Sequence, residues 1–119
     1  MSHHVVSEQN FIDLTAPATE AGFHFTYTGM SQAAYYQAID VPGRIDLLPC
    51  KDLTRQLLKQ VWYAARKHPH QSQVRVTVCK PPTTEDVYVN QPLSLMASIE
   101  HNHKQQPVLI ITTLEELPS

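Results

Sequence analysis

Along residues 51–67, Leu53, Leu57, Val61, Ala64 and Ala65 recur at three- and four-residue spacing, and no proline interrupts them before Pro69. That period predicts the main helix, about 51–67. Ser31 is placed to cap a shorter helix, about 32–40, which Pro42-Gly43 stops. Elsewhere the period is two. Phe23-His24-Phe25-Thr26-Tyr27-Thr28 alternates aromatic with polar residues and reads as a half-buried strand ended by Gly29. Val74, Val76 and Val78 alternate with Arg75, Thr77 and Cys79, which predicts a strand over 73–80 with one polar face. Val87-Tyr88-Val89 reads as a further strand, and Ile45, Leu47 and Leu48 as a brief apolar run ended by Pro49. Leu93–Ile99 and Val108–Leu114 are β-rich runs joined by the polar His101–Gln106 connection, the pattern of a hairpin. The first twenty residues carry little periodicity. They read as a loosely ordered arm over 1–20, docked around Phe11, Ile12 and Leu14, ahead of a single domain over 21–119. This order of elements predicts an α+β fold, with one main helix and a shorter one covering a mostly antiparallel sheet.

Composition narrows the chemistry. The 119 residues suit one domain. With three glycines, Gly22, Gly29 and Gly43, neither G-x-G-x-x-G nor G-x-x-x-x-G-K-[ST] can be written, which excludes a glycine-rich phosphate loop. The nine prolines punctuate the chain instead. No apolar run approaches the length of a membrane span, and the first ten residues have no basic-then-apolar signal. The expectation is a cytoplasmic protein, or one secreted by a route without a Sec signal peptide, with no membrane partner. Cys50 and Cys79 are too few for a disulfide framework and read as free thiols.

Charge is distributed unevenly. Residues 1–43 hold Glu8, Asp13, Glu20 and Asp40 and no Lys or Arg, a net −4. Residues 44–80 hold eight of the nine basic residues with Asp46 and Asp52, a net +6, and residues 81–119 hold five acids with Lys104, a net −4. The net charge of −2 and the acidic flanks argue against a nucleic-acid partner. On a projection of the main helix at about 100° per residue from Lys51, the apolar residues occupy about 200–320°. Lys51, Arg55, Lys59 and Arg66 occupy about 0–80°, with Trp62 among them and Leu58 joining the two arcs. Like charges four apart repel, so this stripe is either balanced by the flanks or offered to an acidic partner. Trp62 framed by Lys59 and Arg66 allows cation–π contact and has the composition of an interface hot spot. The candidate partner-binding residues are therefore Arg55, Lys59, Trp62 and Arg66, with Tyr35 and Tyr36 on the shorter helix as a second aromatic cluster.

Candidate catalytic groups are scattered. His68-Pro-His70 and His101-Asn-His103 have a metal-compatible spacing only on a strand, and both fall in predicted connections without a completing ligand. Cys50 precedes the main helix, where a thiol can become reactive, but Asp46 and Asp52 oppose that effect. Glu85-Asp86 and Glu115-Glu116 are adjacent pairs that read as solubilising charge or as the acidic half of a self-complementary contact pairing two copies, with the closing hairpin offering an edge. No catalytic residue, metal site or cofactor is assigned.

The length, the missing signal peptide, the absence of catalytic motifs and the loops His68-Pro-His70-Gln71 and His101-Asn-His103-Lys104-Gln105-Gln106 give a whole-chain resemblance. The chain resembles small companion proteins that inhibit bacterial effectors which deamidate or transglutaminate ubiquitin. The resemblance implies a non-catalytic inhibitor that binds a cysteine-dependent effector and blocks its substrate access, as a monomer or a homodimer. The alternative is a small metal- or thiol-dependent enzyme using the H-x-H histidines or Cys50.

Overall fold

The computed structural model describes residues 10–43, 49–79 and 92–116. The order of elements is β1 (Phe11–Asp13), α1 (Thr15–Glu20), β2 (Thr28–Ser31), α2 (Gln32–Ala38), α3 (Cys50–Lys67), β3 (Gln73–Cys79), β4 (Pro92–His101) and β5 (Pro107–Thr113), then a 3-10 turn at Leu114–Glu116. The strands form one five-stranded sheet in the order β1-β2-β5-β4-β3. All neighbours are antiparallel except β2 and β5, which run parallel from Thr28↔Leu109 to Met30↔Ile111. The fold is α+β, with three α-helices and a mostly antiparallel sheet among the described residues, none of whose helices is long and apolar enough to cross a membrane.

Period-two burial divides the sheet into faces. Val74, Val76, Leu95, Ala97, Leu109 and Ile111 join Leu57, Leu58 and Val61 of α3 in the main core. The alternate positions Val108 and Ile110 form a smaller cluster with Tyr27, against which Phe11 packs. β2 runs through Gly29, which the sequence suggests as a strand end. A Cβ there would sit 2.6 Å from Tyr27 Cε2 and 2.9 Å from Phe11 Cβ, so only glycine lets that ring lie against the strand.

Three expectations change. The alternation over 23–28 exists in burial, with Phe23 and Tyr27 buried and His24 and Thr26 exposed. It does not make a strand there, because pairing begins only where Leu109 N donates to the Tyr27 carbonyl, and the strand is Thr28–Ser31. Where a loose arm is expected, residues 11–20 are β1 and α1, residues 1–9 lying outside the described residues. Asp13 Oδ1 accepts from Thr15 N at 2.8 Å and from Thr15 Oγ1 at 2.6 Å, Thr15 Oγ1 accepts from Thr28 N at 3.0 Å, and Ala18 is buried in the core. The closing hairpin, β4 and β5, offers no edge, since each strand is paired on both sides. The apolar run at 45–48 and the strand expected at 87–89 lie outside the described residues.

The β4–β5 connection is held by Asn102, buried, whose Oδ1 accepts from the Lys104 and Gln106 backbone N–H groups at 2.9 and 3.0 Å. Gln105 takes φ 63°, the left-handed region that glycine enters without a side-chain penalty. Gln105→Gly is expected to stabilise the domain by about 0.5–1 kcal/mol. An upward shift of the urea midpoint checks this, and a lowered midpoint would count against strain at that position.

Candidate functional site

α3 carries the site. Its N-cap is Pro49, Asp52 sits in its first turn, and Arg66 and Lys67 lie in its last, both charges complementing the helix dipole. The buried positions are Thr54, Leu57, Leu58 and Val61, whereas Leu53 and Ala64 are only half-buried. The buried arc is thus rotated by roughly 40° toward the basic stripe relative to the sequence expectation. The cause is α1, which packs against α3 on that side.

That rotation puts Trp62 half in the core. Its ring packs against the main cluster, and the turn after α1 closes over one edge of it. Gly22 has φ +107° there, and a Cβ on it would lie 3.2 Å from Trp62 Nε1. The Arg66 guanidinium carbon stands 4.6 Å from the ring centroid, and Tyr63 meets the ring edge-on at 5.6 Å. An open groove of about 310 Å³ is lined by Glu20, Ala21, Arg55, Lys59, Trp62 and Tyr63. Arg55 reaches Asp52 at 3.8 Å with its side chain 64% exposed, a contact worth little in water. Among the described residues, Lys59 and Arg66 have no carboxylate within 4.0 Å.

Tyr35 lies on an adjoining groove of about 450 Å³ whose walls include Lys51, Pro17, and again Glu20 and Arg55. The structure therefore brings Tyr35, Arg55, Lys59 and Trp62 onto two grooves that meet at Glu20 and Arg55, with Arg66 stacked on Trp62. Tyr36 is 48% exposed, stands edge-on to Tyr35 at 5.7 Å and lines neither groove. Burial, then the nearby Cys50 and Asp40, push the Tyr35 phenol above its ordinary pKa of 10.0. Glu20, Ala21 and Tyr63 are the lining residues that the sequence reading misses. Tyr63 had a signal, standing next to Trp62 at the border of the basic stripe; Glu20 and Ala21 had none without α1.

The groups that sequence analysis offers for catalysis lie apart among the described residues. The Cys50 thiol donates to Asp40 Oδ1 at 3.9 Å and lies beside Tyr35. Neither Cys50 nor Cys79 is in a disulfide. His68, His70, His101 and His103 are exposed in connections or at element ends, and among the described residues no three His, Cys, Asp or Glu side chains are grouped to hold a metal ion. Glu85 and Asp86 lie outside the described residues, and Glu115 is exposed in the 3-10 turn.

Comparison with protein-family models, with curated proteins and with solved structures gave no match for this chain.

Proposed function

We propose that this chain is a non-catalytic regulator that binds another protein through the Trp62 face of α3, and that its partner is a cysteine-dependent effector of the ubiquitin-deamidating or transglutaminating type whose substrate access it blocks. The observation that carries the binding surface is the combination at Trp62: a half-buried indole with Arg66 stacked on it, and Lys59 beside it without a carboxylate partner among the described residues. An aromatic anchor fixed by packing costs little ordering entropy on binding, and cations lacking a partner favour an acidic counterpart. The choice of effector rests on the sequence resemblance.

Calorimetry against such an effector tests both parts. Trp62→Ala/Lys59→Glu is expected to weaken binding by about thirtyfold or more, the scale of a hot spot. Lys59→Glu/Arg66→Glu, which leaves the core contact of Trp62 intact, should weaken it in the same direction with an unchanged circular dichroism spectrum. Wild-type affinity in both variants would remove the Trp62 face from the interface. Failure of the wild-type chain to bind or inhibit any effector of this type would overturn the partner assignment.

A further inference from the structure

A second surface lies on the opposite flank of α3. Among the described residues β3 is the terminal strand of the sheet, paired on one side only. Its register with β4 runs unbroken from Gln73↔Ser98 to Cys79↔Pro92, with no bulge to twist the outer edge away. The strand contains no proline and one charged residue, Arg75. Proteins usually blunt an unused edge with short length, prolines, bulges or several charges, and β3 has almost none of these.

The edge is also shaped. Two cavities, of about 320 and 270 Å³, follow each other along the seam between α3 and β3. Gln60 of α3 and Thr77 of β3 line both. Positions from both faces of β3 contribute: Val76 and Val78, which face α3, and Arg75, Thr77 and Cys79, which alternate with them. Side chains from both faces of a strand can line one cavity only around its outer rim. The cavities therefore mark a trough beside the edge of β3 that no other described strand pairs with, roofed by α3.

The charge of the trough selects what fills it. Lys67, His68 and Arg75 line its second half, and among the described residues neither cavity has an acidic wall residue and Lys67 and Arg75 have no carboxylate within 4.0 Å. A second copy fits poorly. Antiparallel self-pairing centred on Val76 would set Arg75 diagonally across from its own equivalent, a like-charge contact.

We propose that the outer edge of β3, with the flank of α3 above it, receives an extended acidic segment of a partner protein, which adds to the sheet as a further strand. The backbone groups of β3 supply the hydrogen bonds, and Lys67 and Arg75 supply the preference for a carboxylate. Tyr63 lines both this trough and the Trp62 groove, whereas Gln56, Gln60 and Lys67 of the trough lie roughly 120–160° around the helix from Trp62.

Selection of a random-peptide display library on the immobilised full chain tests it. The enriched peptides are expected to alternate β-branched with polar residues and to carry Asp or Glu. A synthetic peptide of that consensus should shift the amide resonances of Gln73–Cys79 in the isotope-labelled protein. Lys67→Glu/Arg75→Glu should weaken its binding by about tenfold, while Arg55→Ala, at a residue of the Trp62 groove that lines neither cavity of the trough, leaves it unchanged. The proposal is overturned by no enrichment, by neutral or basic consensus peptides, by shifts centred away from β3, by wild-type affinity in the charge-reversed variant, or by self-association of the chain through β3.

Discussion

Leu58→Ala is expected to lower the unfolding free energy by about 3–5 kcal/mol, the upper range for deleting a leucine from a packed core. Leu58 has no exposed surface. It belongs to the core cluster that also holds Ala18 of α1, Val61 of α3 and Ile111 of β5. A leucine enclosed this completely leaves a cavity that its packed neighbours fill only in part. Urea unfolding reads the effect as a fall in the midpoint at unchanged slope. A cost under about 1 kcal/mol would mean that Leu58 is not enclosed in that core, because an exposed or loosely covered leucine costs that little.

Gly29→Ala acts in the opposite sense, by overfilling. The added methyl would meet Tyr27 Cε2 at 2.6 Å and Phe11 Cβ at 2.9 Å. The tyrosine ring can swing, but Phe11 Cβ moves only with the backbone of β1, and Gly29 pairs on its other side with Ile110 of β5. Relief therefore requires β1 to shift against β2. The expected loss is about 3 kcal/mol, at the top of the range for an extra buried methyl. Combining Gly29→Ala with Tyr27→Ala should recover none of the part due to Phe11, and thermal unfolding of the set separates the two contributions. A Gly29→Ala protein as stable as wild type would show that the Tyr27 ring does not lie on the strand.

The elements legible in the sequence are those with a long local period. The main helix lies within one residue of its expected start, and β3, β4 and β5 occupy the runs that their alternating or β-branched residues marked. Ser31 caps α2, its side chain accepting from Ala34 N at 3.1 Å. What could not be read depends on partners distant in sequence. β1 and α1 are three and six residues long, too short to display a period, and they exist because Asp13, Thr15 and Thr28 bond one another and Ala18 reaches the core. Phe23 and Phe25 alternate like strand residues, yet strand assignment needs a neighbour, which arrives only at Tyr27. The site follows the same division. Arg55, Lys59, Trp62 and Arg66 were visible because one helix presents them, whereas Glu20 and Ala21 required knowing that α1 leans on that helix. The edge strand was misplaced because pairing order is a property of the sheet and not of any run in it.

The position of β5 between β2 and β4 bears on how the chain must be made. Translation delivers both flanking strands before the one that joins them, with Pro107–Thr113 following more than seventy-five residues after Ser31. Until residue 113 clears the ribosome, β2 and β4 each lack a shared neighbour, and their apolar inner faces are exposed beside unpaired backbone. The parallel pair β2–β5 closes the longest loop in the sheet and is therefore a late event. The inner faces of β2 and β4 are accordingly joined only once β5 arrives, and a polysome crowded with such half-built sheets is where strand exchange between copies would begin.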